Sequence, residues 1–192
     1  MDALSAAAFG IVLAACAGLR AFLPVFSASL ASLVLHLPLP DALGWLARPS
    51  TLAIFGVATA LEMLGDKIPV VDHALDAVQV VVKPGLAVLA AVPFAYQLSP
   101  EYSVAIGILM GVPLSLGVHT AKATARVGST ATTAGMGNPI LSVLEDVAAI
   151  GAIVVAFLAP ILALVLTVVM LVLLVRVARR LRRAMRGRRA PA

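Results

Sequence analysis

Cysteine occurs once in this chain, at Cys16, so there is no intrachain disulfide and no cysteine-based metal site. Charge is scarce too. Asp, Glu, Lys and Arg make up 12% of the residues, against about 25% in a soluble domain. No Ser/His/Asp order, nucleotide-binding loop or zinc-binding helix motif is present. A soluble-type catalytic site therefore has no support, and an enzyme is not the expected class. Basic residues are sparse in the body of the chain. Eight of the fourteen fall in the last seventeen positions, leaving six Lys/Arg elsewhere against nine Asp/Glu. The pI of 10.1 thus describes the tail, and a nucleic-acid partner is not expected.

What fills the chain instead is apolar residue. It is 62% hydrophobic with a mean hydropathy of +1.09. This composition predicts an all-α, polytopic transmembrane bundle in contact with the lipid bilayer. At 192 residues it makes one transmembrane domain over 1–183 and an Arg-rich tail over 184–192. Arg176, Arg179, Arg180 and their neighbours follow an apolar helix, which marks a cytoplasmic flank under the positive-inside rule. The same cluster suits anionic head groups. The LAAC box at 13–16 resembles a lipoprotein cleavage site, but no Lys or Arg precedes it. Residues 3–19 are expected to remain as a helix.

As one helix, 3–37 would be roughly 52 Å long, against a bilayer core of about 30 Å. A break is expected in GLRAFLP, 18–24, with Arg20 at it. Three prolines make 37–50 a loop, and Trp45 in it suits the interface. Helices are expected over 51–66, 70–83, 85–98, 101–126, 139–158 and 160–183, the second of them short and amphipathic. Gly65 and Pro69 form a bend that could return 70–83 into the bilayer as a re-entrant segment. The Gly/Ser/Thr-rich stretch 127–139 is read as a loop, with Asn138 as N-cap of the next helix. Each half runs basic helix then acidic helix: Arg20 then Glu62, and Lys122/Arg126 then Glu145. That order fits a weak inverted repeat.

The titratable residues gather in a few places. Glu62, Asp66 and Lys67 close one helix. Asp72, Asp76, Gln79 and Lys83 share one face of the next, beside His73. Ser115, His119, Lys122 and Arg126 share a face further on, followed by Ser142, Glu145 and Asp146. Each charge at the bilayer centre costs about 2.5–3.5 kcal/mol. These groups must therefore face one another, a hydrated cavity or the interface. Glu62, Asp66, Asp72 and Asp76 are the candidate ligands for a hard cation such as Mg²⁺. The 127–139 stretch, with Arg126 before it and a helix start at Asn138, is a candidate anion cradle.

Four blocks in order carry a resemblance: GLRAFLP, LEMLGDKIPVVDHALDAVQ with its KP, GVHTAKATAR and GNPILSVLEDV. Together they resemble a bacterial integral-membrane family catalogued as domain of unknown function 4126, over nearly the whole chain to about residue 175. The resemblance implies a small multi-helix inner-membrane protein and no established activity. It implies that Arg20, Asp66, Lys67, Pro69, Asp72, Asp76, His119, Lys122, Asn138, Pro139, Glu145 and Asp146 belong to the family pattern.

The first expectation for function is a transporter or channel for an ion or small charged solute. Its polar site would draw on Arg20, Glu62, Asp66, Lys67, Asp72, Asp76, Lys83, His119, Lys122, Arg126, Asn138, Glu145 and Asp146. The alternatives are a polyprenyl-phosphate- or phospholipid-handling protein, either flippase or Mg²⁺-dependent enzyme, and a non-catalytic membrane scaffold. A homo-oligomer is compatible with all three.

Overall fold

The computed structural model describes residues 1–187, apart from the side chains of residues 69–74, 76, 174, 177–178 and 181–187. Asp72, His73 and Asp76 thus lie outside the described side chains. Among the described residues the elements are α1 (Ala3–Leu19), α2 (Leu23–Val34), a 3-10 helix (Asp41–Ala47), α3 (Pro49–Gly65), α4 (Pro69–Tyr96), α5 (Ser103–Thr133), α6 (Asn138–Leu158) and α7 (Pro160–Gly187).

α1 carries no charge and no one-sided stripe, and a helix apolar all round belongs in a core. It is accordingly buried along most of its length and packs against α4, α5, α6 and α7. Small residues let the helices close up, as membrane interfaces require. Gly18 of α1 lies against Ser115 and Val118 of α5, and Gly107 and Gly111 of α5 lie against Ala87, Val88 and Val92 of α4. Phe9 stacks on Phe94 at 4.6 Å and meets Phe157 edge-on at 4.9 Å, joining α1 to α4 and α6.

Among the described residues three segments are long and apolar enough to cross a membrane: Ala77–Tyr96, Ser103–Thr133 and Asn138–Leu158. Leu109, Leu158 and Val81 are among many large apolar side chains left exposed on these helices, as a lipid-facing surface requires. Among the described residues α1, α2 and α3 are apolar helices shorter than a full span.

Three expectations need correction. The expected pair 70–83 and 85–98 is one helix, α4, with Pro84 and Pro93 inside it. Packing of Ala87, Ala90, Ala91 and Phe94 outweighs the proline cost of about 3 kcal/mol. The segment 70–83 is thus continuous with a span and is not a separate re-entrant piece. The expected loop from 127 is helix as far as Thr133. There Thr132 and Thr133 donate to the carbonyls of Gly128 and Ser129 at 2.8–3.2 Å, so their hydroxyls are satisfied without leaving the helix. The chain turns only at Ala134 and Gly135, both at positive φ. α7 runs on to Gly187, past the helix end expected at 183, and residues 188–192 lie outside the described part.

Ala159 alone separates α6 from α7, and Val147, Gly151 and Val155 of α6 share a groove with Leu166, Thr167 and Met170 of α7, so α7 returns antiparallel along α6. Its basic end therefore lies at the same end of the bundle as the α3–α4 and α5–α6 turns.

Candidate functional site

α1 stops at Leu19. Arg20 is extended at φ −131°, ψ 123°, and α2 starts at Leu23 with Pro24 in its first turn. The break exposes two backbone N–H groups that no helix satisfies. Glu62 of α3, 2% exposed, accepts both: Ala21 N at 2.7 Å and Phe22 N at 3.0 Å. Gln79 Nε2 of α4 donates to the same carboxylate at 2.8 Å. Glu62 is thus a tethered anion at the start of α2. Glu62→Leu would strip three donors of their acceptor, two of them buried and one part-buried. We expect it to lower stability by about 2–4 kcal/mol, and Glu62→Gln by less, in denaturant titrations of the detergent-solubilised protein.

One turn along α3, Asp66 opens the main cluster. Arg20, fully buried, pairs through Nη1 with Asp66 Oδ2. Its Nη2 reaches Asp146 Oδ1 at 2.6 Å, an ion-pair contact not aligned as a hydrogen bond, and donates to the carbonyl and hydroxyl of Ser142 at 3.1 Å each. From α5, Lys122 Nζ lies 3.5 Å from Asp66 Oδ2 and 3.3 Å from Glu145 Oε2, and donates to the Leu19 carbonyl at 3.3 Å. Arg126 Nη2 meets the same two oxygens at 3.5 and 3.1 Å. Asp66 Oδ2 and Glu145 Oε2 are therefore each shared by the same three cations, Arg20 reaching Glu145 at 4.0 Å. Lys67, 39% exposed at its side chain, closes the open edge on Asp146 at 3.0 Å.

Glu145 stands about 10 Å along the axis from the α6 start at ~1.5 Å per residue. Basic and acidic helices of the two halves cross-pair, Arg20 with Asp146 and Arg126 with Asp66. Lys83 and His119 form a further buried contact between α4 and α5, Nζ to Nδ1 at 3.2 Å.

Asn138 is not brought to the cluster. It is the first residue of α6, with Gly137 as its N-cap, and its Nδ2 donates to Thr130 Oγ1 at 3.0 Å. The cradle expected at 127–139 is not formed, because its hydroxyls bond within α5 and the turn. Among the described residues no three His, Cys, Asp or Glu side chains gather as a metal site. Glu62 and Asp66, the described half of the proposed Mg²⁺ set, face N–H donors and cations instead. The backbone groups that join the site, those of Leu19, Ala21 and Phe22, come from the Gly18–Pro24 segment. Only the Gly18–Pro24 break signals them.

A family described as a domain of unknown function (DUF4126) matches residues 7–180. The chain belongs to this family. No curated protein and no solved structure matches it. The DUF4126 match spans every charged residue of the cluster.

Proposed function

We propose that the protein is a small transporter or channel that passes an ion or small charged solute, with the Arg20–Asp66–Lys122–Arg126–Glu145–Asp146 cluster as its polar site. The observation that carries this reading is the sharing of two carboxylate oxygens among three cations. Buried ion pairs are a weak source of stability, because desolvation offsets the attraction. Shared partners suit another purpose: a charged solute can replace one member while the others keep their counter-charge. The α1–α2 break next to the cluster supplies backbone groups of the kind that line transporter sites. The basic end of α7 lies at the same end as the cluster. By the positive-inside rule that end faces the cytoplasm, in our reading of a bacterial inner-membrane protein.

A second reading, a scaffold, is favoured by one observation: each cation of the cluster already faces a carboxylate of the same cluster. Flux into proteoliposomes separates the two. We would follow Na⁺, K⁺, Cl⁻, phosphate and small carboxylates with wild type and with Lys67→Met, which alters only the exposed edge. One solute should cross above empty liposomes, and Lys67→Met should shift its half-saturating concentration by about tenfold, the equivalent of ~1.4 kcal/mol. No flux of any solute through folded protein would favour the scaffold. Stabilisation by a short-chain lipid phosphate, without flux, would move the assignment to lipid-phosphate handling.

A further inference from the structure

We propose that α7 carries a docking face for anionic phospholipid head groups, built on Arg176, Arg179 and Arg180. Ala163 and Thr167 are buried and mark the side of α7 that packs on the bundle. Leu162, Val165, Val169 and Val172 are exposed and lie at spacings of three and four, which is one outward stripe of a helix. The next position on that stripe is Arg176, followed by Arg179 and Arg180, and all of these arginines are exposed. The helix runs through them without a break. The outward surface thus changes from aliphatic to guanidinium within one turn, on a single rigid element. None of these arginines makes a hydrogen bond or ion pair among the described residues.

Their depth follows from α6. Counted from Ala159, Arg176 is as far along α7 as Ser142 is along α6, and Arg180 is as far as Asn138. The arginines thus stand beside the opening turns of α6, where the span Asn138–Leu158 begins. At ~1.5 Å per residue Arg176 is about 24 Å along α7 from Pro160, just short of the ~30 Å of a bilayer core. A long side chain there keeps its stem against lipid and carries its charge out to the head-group layer. Phosphate is the group it meets in that layer, and an anionic lipid brings no ammonium group to compete for it. A topology signal needs basic residues after a span, in any register. Here the register is that of the lipid-facing stripe, which selects lipid over an acidic protein segment as the occupant. A water-soluble segment would have to displace lipid from beside Val172 to reach Arg176. The proposal holds whether or not the charged cluster passes a solute.

The test titrates the full chain, purified in one detergent, with phosphatidylglycerol and phosphatidylcholine of equal chain length. Retained lipid is counted by native mass spectrometry. Wild type should hold phosphatidylglycerol at least about tenfold more tightly, and each of Arg176→Gln, Arg179→Gln and Arg180→Gln should lose about fivefold. The triple Gln variant should show no preference, whereas Lys at the same positions keeps the charge and should retain most of it. Salt at about 0.5 M should weaken the wild-type preference. Melting in phosphatidylcholine alone should be the same for every variant, because the arginines are exposed, and this separates lost binding from lost folding. Equal retention of the two lipids by wild type would overturn the proposal, as would a preference that survives the triple Gln variant. Displacement of phosphatidylglycerol by millimolar inorganic phosphate would replace the lipid with a free anion. Stabilisation by polyglutamate, without any lipid preference, would assign the face to an acidic protein partner instead.

Discussion

Arg20→Leu is expected to lose about 3–5 kcal/mol of stability, the usual result of removing one partner from a buried ion pair. Arg20 is fully buried, and its guanidinium meets Asp66, Asp146 and two oxygens of Ser142. Without it, Asp66 keeps Lys122 and Arg126 at 3.5 Å, and among the described residues Asp146 keeps the partly exposed Lys67 alone. Total stabilities are about 5–15 kcal/mol, so the variant would sit near its unfolding threshold. Arg20→Lys keeps the charge but loses the planar fork that spans two carboxylates, and should fall between. Adding Asp146→Leu to Arg20→Leu should recover about 1–3 kcal/mol, because the stranded carboxylate goes with its partner. Unfolding in one defined detergent measures all four proteins. If Arg20→Leu melts like wild type yet carries no flux, the cluster serves passage and not the fold. If it melts like wild type and flux persists, neither role holds.

The membrane class and the first helix break could be read directly, because hydropathy and Gly/Pro placement report on them without tertiary knowledge. The pairing could not. Opposite charges on neighbouring helices indicate that partners exist, but which carboxylate meets which cation depends on how far each helix is rotated and raised. Glycine contacts set that, and they are invisible until the helices are packed. Glu62 shows the limit most clearly. Its partners are backbone N–H groups at Ala21 and Phe22, which every sequence has and none displays. Pro84 and the threonines after residue 127 misled for a related reason. Both are local signals to end a helix. Burial of the alanine face of α4 overrides the first, and hydroxyl bonds back into α5 neutralise the second.

Gly18→Ala is expected to cost about 3 kcal/mol, and Gly18→Val more, in the same unfolding measurement. Gly18 reads as part of a helix break, but it lies inside α1, and the break begins at Arg20. Its purpose is close approach. A Cβ there would sit 2.4 Å from Val118 Cβ and 2.6 Å from the Ser115 carbonyl oxygen. The second neighbour is backbone, so no rotamer change relieves it, and α1 must move away from α5. That movement reaches the charged cluster. Lys122 is one turn beyond Val118 and is tied to the Leu19 carbonyl at 3.3 Å, so separating the helices pulls it from α1 while Arg20 stays behind. Gly117, next to Val118 on the open side of α5, is the control, since nothing lies within 4 Å of a Cβ there. Gly117→Ala should be neutral or stabilise by up to about 1 kcal/mol through helix propensity. A shared small effect at both positions would mean that α1 and α5 are not in contact at Gly18. A large loss at Gly18 alone would establish that the glycine holding these helices together also holds the three cations on their shared carboxylates.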